Sequence, residues 1–188
     1  DSNRLGALLL AGPVRRVFPA RPGRDQVRAI LQAAMRSPEV EGLGHSDLDD
    51  ALQRVMALAH HRGMIAIVSD LRGDGPDRDR PAGLLPRQLA TATEHHDVIV
   101  IQIRDRRDVD LPDVGMIELQ DPATGRTREV RVDPALRAAY RRRADGFQAA
   151  VEDQLLAAGA DHLVLETGDD WLTTIANHVR RRRRLPVR

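Results

Sequence analysis

Apolar residues recur along this chain with two different periods, and the two alternate. Arg4–Ala11, RLGALLLA, reads as a buried strand that Gly12-Pro13 turns into a short edge strand, Val14–Phe18, with arginines toward water. Ile65–Ser69 has no polar alternation and is expected to be a strand covered on both faces; Asp97–Ile103, DVIVIQI, is the next interior strand and His162–Glu166 the last. Between them the spacing is helical. Arg24–Met35 places Val27, Ile30, Leu31 and Ala34 on one face. A helix capped at Ser46 presents Leu48, Leu52, Val55 and Ala59 and ends at His61-Arg62-Gly63. Leu84–Glu94 is a short helix. Asp133-Pro134 starts a long one, with an aspartate cap and proline in the first turn, that turns Leu136, Tyr140, Phe147, Val151 and Leu155 inward to about Ala158. Gly159 stops it, and a last helix from about Asp170 uses Trp171, Ile175 and Val179. Gly115–Gln120 and Arg126–Val132, around Asp121–Gly125, predict a β-hairpin inserted over about 114–132. Strand and helix in repeated alternation predict a three-layer α/β domain with a mostly parallel sheet.

Composition narrows the function classes. The 188 residues carry a formal charge of +1, and every basic side chain other than histidine is arginine. Arginines alternate with acids along most of the chain, as on an ordinary mixed surface rather than a nucleic-acid-binding face. No cysteine is present, which excludes disulfides and thiolate chemistry. No apolar run approaches the roughly 18 residues of a membrane span. Asp1 opens the sequence without a methionine or signal peptide, so the chain is expected to begin partway through a domain.

The candidate site lies where Met64–Asp70, MIAIVSD, ends. In open parallel sheets ligands bind beyond the carboxyl ends of the strands. There Asp70 either ligates a hard cation such as Mg²⁺, which favours oxygen donors, or caps the following turn. Ser46, with Asp47 beside it, stands at a helix entry as a second oxygen ligand or as the helix cap. His60-His61 and His95-His96 are adjacent pairs and make no natural chelate. Asp105, Asp108, Asp110 and Asp113 form an acid-rich loop expected to be solvated or paired with Arg104, Arg106 and Arg107. A lysine-free chain has no P-loop lysine, and Ser69 sits in no nucleophile elbow. The five arginines Arg180–Arg184 open a basic tail over 181–188, more suited to solvent or a protein partner than to a duplex.

Six stretches stand out in order: Asn3-Arg4-Leu5-Gly6, Ser46-Asp47-Leu48 with Ala51-Leu52, Met64–Asp70, His95-His96-Asp97-Val98, Leu111-Pro112-Asp113-Val114-Gly115 and Asp121-Pro122-Ala123-Thr124-Gly125. Together they resemble the DUF58 family, bacterial proteins with a von Willebrand factor A-like domain. The resemblance spans nearly the whole chain. It implies a doubly wound, mostly parallel sheet over residues 1–180 whose first strand and helix are missing. It also implies a metal-ion-dependent adhesion site, in which Ser46 takes the place of the usual threonine and Asp70 that of the last-loop aspartate. The family's Asp-x-Ser-x-Ser ligands belong on the missing strand, so Mg²⁺ binding by this chain is expected to be weak or absent. That strand would lie beside Ile65–Ser69, and without it the exposed edge is open to self-association.

The function expected from this reading is non-enzymatic: a protein-interaction module, working with a MoxR-type AAA+ ATPase in the cytoplasm or on the cytoplasmic face of a membrane. His45 and Ser69, together with Arg180, Arg181 and Arg182, are the candidate partner contacts. Two alternatives stand beside it. One is a divalent-metal enzyme using Asp70, which needs a second acid or base converging on the metal. The other is a structural scaffold with a degenerate metal site.

Overall fold

In the computed structural model, which describes residues 3–11, 14–36, 48–72, 86–120 and 126–182, the strands divide among three sheets. The elements in chain order are β1 (Arg4–Ala11), β2 (Val14–Pro22), α1 (Arg24–Met35), α2 (Leu48–Leu58), β3 (Met64–Ser69), α3 (Pro86–His95), β4 (Asp97–Arg104), β5 (Met116–Gln120), β6 (Thr127–Arg131), α4 (Pro134–Ala157), β7 (Asp161–Glu166) and α5 (Trp171–Arg182). Strands β3, β4 and β7 form a parallel sheet in that order, with Ile65 opposite Val98 and Ile101 opposite Leu163. β1–β2 and β5–β6 are antiparallel hairpins. The chain is thus mixed α/β, with parallel pairing confined to three strands.

Alternation along β4 sets the layers. Val98 and Val100 join Leu52 of α2, Leu89 and Ala92 of α3, and Phe147, Val151 and Leu155 of α4 in the main core. Ile99 faces the other way, with Leu163 and Leu165, against Ile175 of α5. Helices therefore cover both faces of β4 and β7. Strand β3 departs from the expectation of double coverage. Ile65 is buried, whereas Met64, Ala66 and Val68 on its other face are exposed, Val68 by 63 %. The reason is reach: α5 lies over β4 and β7, and no described element crosses this face of β3.

Local signals explain the element ends. Asp133 caps α4 through its Oδ1, which accepts the Leu136 amide at 2.7 Å, and Pro134 occupies the first turn. Gly159 closes α4 with φ of 71°, while the Ala160 amide reaches back to the Leu155 carbonyl at 3.1 Å. Helix α2 stops at Leu58, sooner than expected, because the chain is drawn into the sheet: the Gly63 carbonyl accepts the Asp97 amide at 2.9 Å. In the first hairpin Gly6 sits at a register shift, where a Cβ would come within 3.0 Å of the Phe18 carbonyl oxygen.

Two helices face differently from their patterns. In α1 the inward residue is Ala33, while Val27, Leu31 and Ala34 are exposed. In α5 Trp171 and Val179 are exposed, and Ile175 alone of the expected three packs on the core. The helix also absorbs part of the expected tail. Arg180–Arg182 are helical, and Arg182 binds Asp97 at the start of β4 and Asp161 at the start of β7.

Burial lowers the pKa of two histidines. His162 of β7 bonds the Gln102 side chain at 3.0 Å, and His178 of α5 stays 3.9 Å from Asp161, too far for a hydrogen bond. Both bind protons more readily unfolded than folded. Their contribution is complete above the ordinary histidine value of 6.5 and shrinks as pH falls through it toward the lower folded values. Thermal melts should therefore drop between about pH 7.5 and about pH 5.5, and drop less in a His162→Gln/His178→Gln variant. Equal pH sensitivity of the two proteins would refute this assignment.

Candidate functional site

The carboxyl ends of β3 and β4 open into a cleft lined by Asp70, Arg72, Gln102, Arg104, Asp108, Asp145 and Phe147. Its floor is set by a four-residue turn. Ser69 Oγ accepts the Leu71 amide at 3.0 Å, and Asp70 Oδ1 accepts the Arg72 amide at 3.2 Å. Between these anchors Leu71 adopts φ of 59°, a left-handed conformation that costs a leucine about 1–2 kcal/mol. The return is burial: Leu71 is 1 % exposed and packs into the main core. The turn thereby lifts Asp70 into solvent and aims Arg72 across the cleft.

Charges in the cleft are largely spent on one another. Arg72 lies 3.4 Å from Asp108, with its guanidinium 5.1 Å above the Phe147 ring centroid. Arg104 pairs with Glu166 at the end of β7, and its buried Nε has no described hydrogen-bond partner. Gln102 is buried on β4 and tied to His162.

The acid-rich loop is organised by distant arginines rather than by its own. Asp105 caps a single 3₁₀ turn, Arg106–Asp108, and accepts the Thr167 hydroxyl at 2.7 Å; the Arg107 amide above all holds its pKa down. Asp110 receives Arg141 at 2.6 Å and Arg137 at 3.0 Å, both from α4, and Arg137 also reaches Asp113 at 3.1 Å. The Arg141 hydrogen bond brings the Asp110 pKa to about 2, so this carboxylate stays ionised at mildly acid pH. Of the three arginines expected to pair within the loop, Arg106 instead meets Asp169 at 3.1 Å.

The expected site residues are distributed as follows. Asp70 and Ser69 stand together at the cleft, Ser69 bonded into the turn. His45, Ser46 and Asp47 lie outside the described residues. Arg180, Arg181 and Arg182 are at the opposite end of the sheet; Arg182 is held by its two aspartates, and Arg180 pairs with Asn177. Among the described residues no group of three or more histidines and acids is placed to hold a metal ion. Sequence reasoning missed Arg72, Arg104 and Phe147. Gln102 carried a readable signal, since it is the one polar residue within 98–103.

Residues 1–150 match the family model described as "Protein of unknown function DUF58". The chain belongs to the DUF58 family. Family relatives include the uncharacterized protein Rv1480 of Mycobacterium tuberculosis, 37% identical over 182 residues, which are 97% of this chain and 55% of the relative. The uncharacterized protein MAV169 of Mycobacterium avium is 34% identical over 166 residues, 88% of this chain and 94% of the relative. The chain thus spans about half the length of the Mycobacterium tuberculosis protein. Two solved structures share the fold. Conserved hypothetical protein BatB of Bacteroides thetaiotaomicron aligns with a TM-score of 0.51 at 12% identity, over 98% of this chain and 82% of its own. An aerotolerance-related membrane protein of Bacteroides fragilis aligns with a TM-score of 0.54 at 11% identity, over 96% and 81%. Among the described residues of this DUF58 chain, no helix is long and apolar enough to cross a membrane.

Proposed function

We propose that this part of the DUF58 protein is a non-enzymatic interaction module whose von Willebrand factor A-like sheet presents its carboxyl edge to a protein partner. One observation carries the reading. At the cleft Asp70 is raised into solvent by a strained turn, Asp108 and Glu166 are committed to Arg72 and Arg104, and the remaining acid of the lining, Asp145 of α4, joins Asp70 in no metal-holding group of three or more among the described residues. A metal-dependent hydrolase or transferase draws on a second acid or base free to converge on the metal. A docking edge needs only an exposed oxygen ligand and a rigid rim. A divalent cation held by Asp70, with further ligands from outside the described residues, would bridge to a partner's carboxylate. The partner that the family resemblance supplies is a MoxR-type AAA+ ATPase. The Bacteroides fragilis neighbour is described as a membrane protein, which favours a place at a membrane; the cytoplasmic face is part of the proposal.

Mg²⁺ selectivity rests on ligand number and geometry, which Asp70 does not provide by itself. Calorimetric titration of this chain should give Mg²⁺ affinity no tighter than about millimolar. Asp70→Ala should weaken binding to the ATPase by at least about tenfold, about 1.4 kcal/mol. Micromolar Mg²⁺ binding by this chain that Asp70→Ala abolishes would overturn the expected weak affinity, and unchanged Mg²⁺ binding in Asp70→Ala would overturn the metal part. Unchanged ATPase binding in the variant would overturn the docking edge.

A further inference from the structure

Charge is unevenly shared in this chain. Residues 3–36 hold seven arginines against one acid, Asp25, although the whole chain is +1, so the remainder is net negative. Six of the seven, Arg4, Arg16, Arg21, Arg24, Arg28 and Arg36, are exposed in the described structure. Asp25 is itself fully exposed and lies 3.9 Å from Arg28.

The same unit carries an apolar ridge. On α1, Val27, Leu31 and Met35 are 41 %, 57 % and 86 % exposed. They recur every fourth residue and so form one line about 12 Å long. Arg24 and Arg28 each precede a ridge residue by three positions and therefore flank it. The helix cannot roll the ridge inward without breaking its anchor, because Gln26 Nε2 donates to the Leu5 carbonyl at 3.1 Å and the Pro19 carbonyl at 2.9 Å. Ala33 occupies the buried side.

We propose that β1, β2 and α1 form a docking surface for an anionic lipid bilayer, with Val27, Leu31 and Met35 entering the headgroup boundary and Arg24 and Arg28 meeting lipid phosphates. A protruding aliphatic ridge flanked by cations matches the interfacial helix pattern. Exposed arginines on all three elements add to the positive field that draws an anionic surface, with no matched acidic groove required. The proposal rests on a surface separate from the Asp70 cleft and stands whatever that cleft binds.

Vesicle flotation tests it, since aggregated protein sinks. The chain should float with phosphatidylcholine vesicles containing about 30% phosphatidylglycerol, not with phosphatidylcholine alone, and less at about 1 M salt. Arg24→Glu/Arg28→Glu should lower the bound fraction by at least about tenfold. Leu31→Asn/Met35→Asn leaves the charge unchanged and should also lower it by about tenfold, with circular dichroism unaltered because both residues are exposed. Flotation indifferent to the anionic lipid overturns the proposal, as does full binding by the asparagine variant. Absence of flotation, together with salt-sensitive binding of polyglutamate lost in the glutamate variant, would overturn it too and assign the arginines to an acidic polypeptide.

Discussion

Leu71→Ala is expected to destabilise the chain by about 2–5 kcal/mol, and Leu71→Gly by no more than that. The loss itself follows from burial, because Leu71 is 1 % exposed within the main core and its truncation leaves a cavity. The order of the two variants is the sharper test. In most settings glycine is worse than alanine by about 0.5–1 kcal/mol, through backbone entropy. Here φ is 59°, which alanine shares only at a cost of about 1–2 kcal/mol and glycine adopts freely. The two effects oppose each other, and glycine should equal or surpass alanine. Urea melts of both variants at neutral pH decide it. Alanine clearly more stable than glycine would show that the turn holds no strain.

The second large effect concerns the free side of β3. Residues of the longer relatives outside the matched segment should, where they supply a strand and helix beside β3, raise the melting temperature when attached and make the protein monomeric where the 188-residue chain self-associates. The described sheet ends at β3, and the hairpin β1–β2 forms a sheet of its own. A parallel strand between them would add several hydrogen bonds, each worth about 0.5–1.5 kcal/mol net, and its covering helix would bury Met64 and Val68 for about 1.5–3 kcal/mol each. About 5 kcal/mol on this scale corresponds to roughly 10–20 °C for a protein of this size. Exposure of Met64, Ala66 and Val68 also shows that water reaches β3, so the open edge is a pairing hazard more than a set of buried, unsatisfied groups. Sedimentation velocity and thermal melts on both proteins test this. A monomeric short chain with the same melting temperature as the longer one would refute it.

What the sequence disclosed was local. The apolar run of Asp97–Ile103, the cap and proline at Asp133-Pro134 and the glycine at position 159 each announce an element by nearest-neighbour physics. Asp70 was legible because a carboxylate closing an apolar strand has few other places to go. The partners of Asp110 were not: Arg137 and Arg141 lie 27 and 31 residues away, and nothing local distinguishes them from other arginines of α4. Nor did the pattern of α1 say which side faces in. Its packing partner is a two-stranded hairpin, which Gln26 grips through two backbone carbonyls, so a hydrogen bond sets the roll that apolar spacing was expected to set. The left-handed Leu71 was invisible for the opposite reason, since a turn of this kind is ordinarily signalled by glycine or asparagine.

The contact of Arg182 with Asp97 and Asp161 has a consequence for the order in which the protein is made. Asp97 and Asp161 begin adjacent parallel strands, and the guanidinium that reconciles their two negative charges comes 85 residues after the first of them. At roughly 5–20 residues per second, a ribosome takes about 4–17 s to cover that distance. Through that interval β4 exists without its neutralising cation, and until α5 arrives Ile99, Ile101 and Ile103 lack their cover. The nascent β4 therefore waits first for α4 on one face and then for α5 on the other, and the final turn of the last described helix is the point at which the starts of β4 and β7 gain their shared cation.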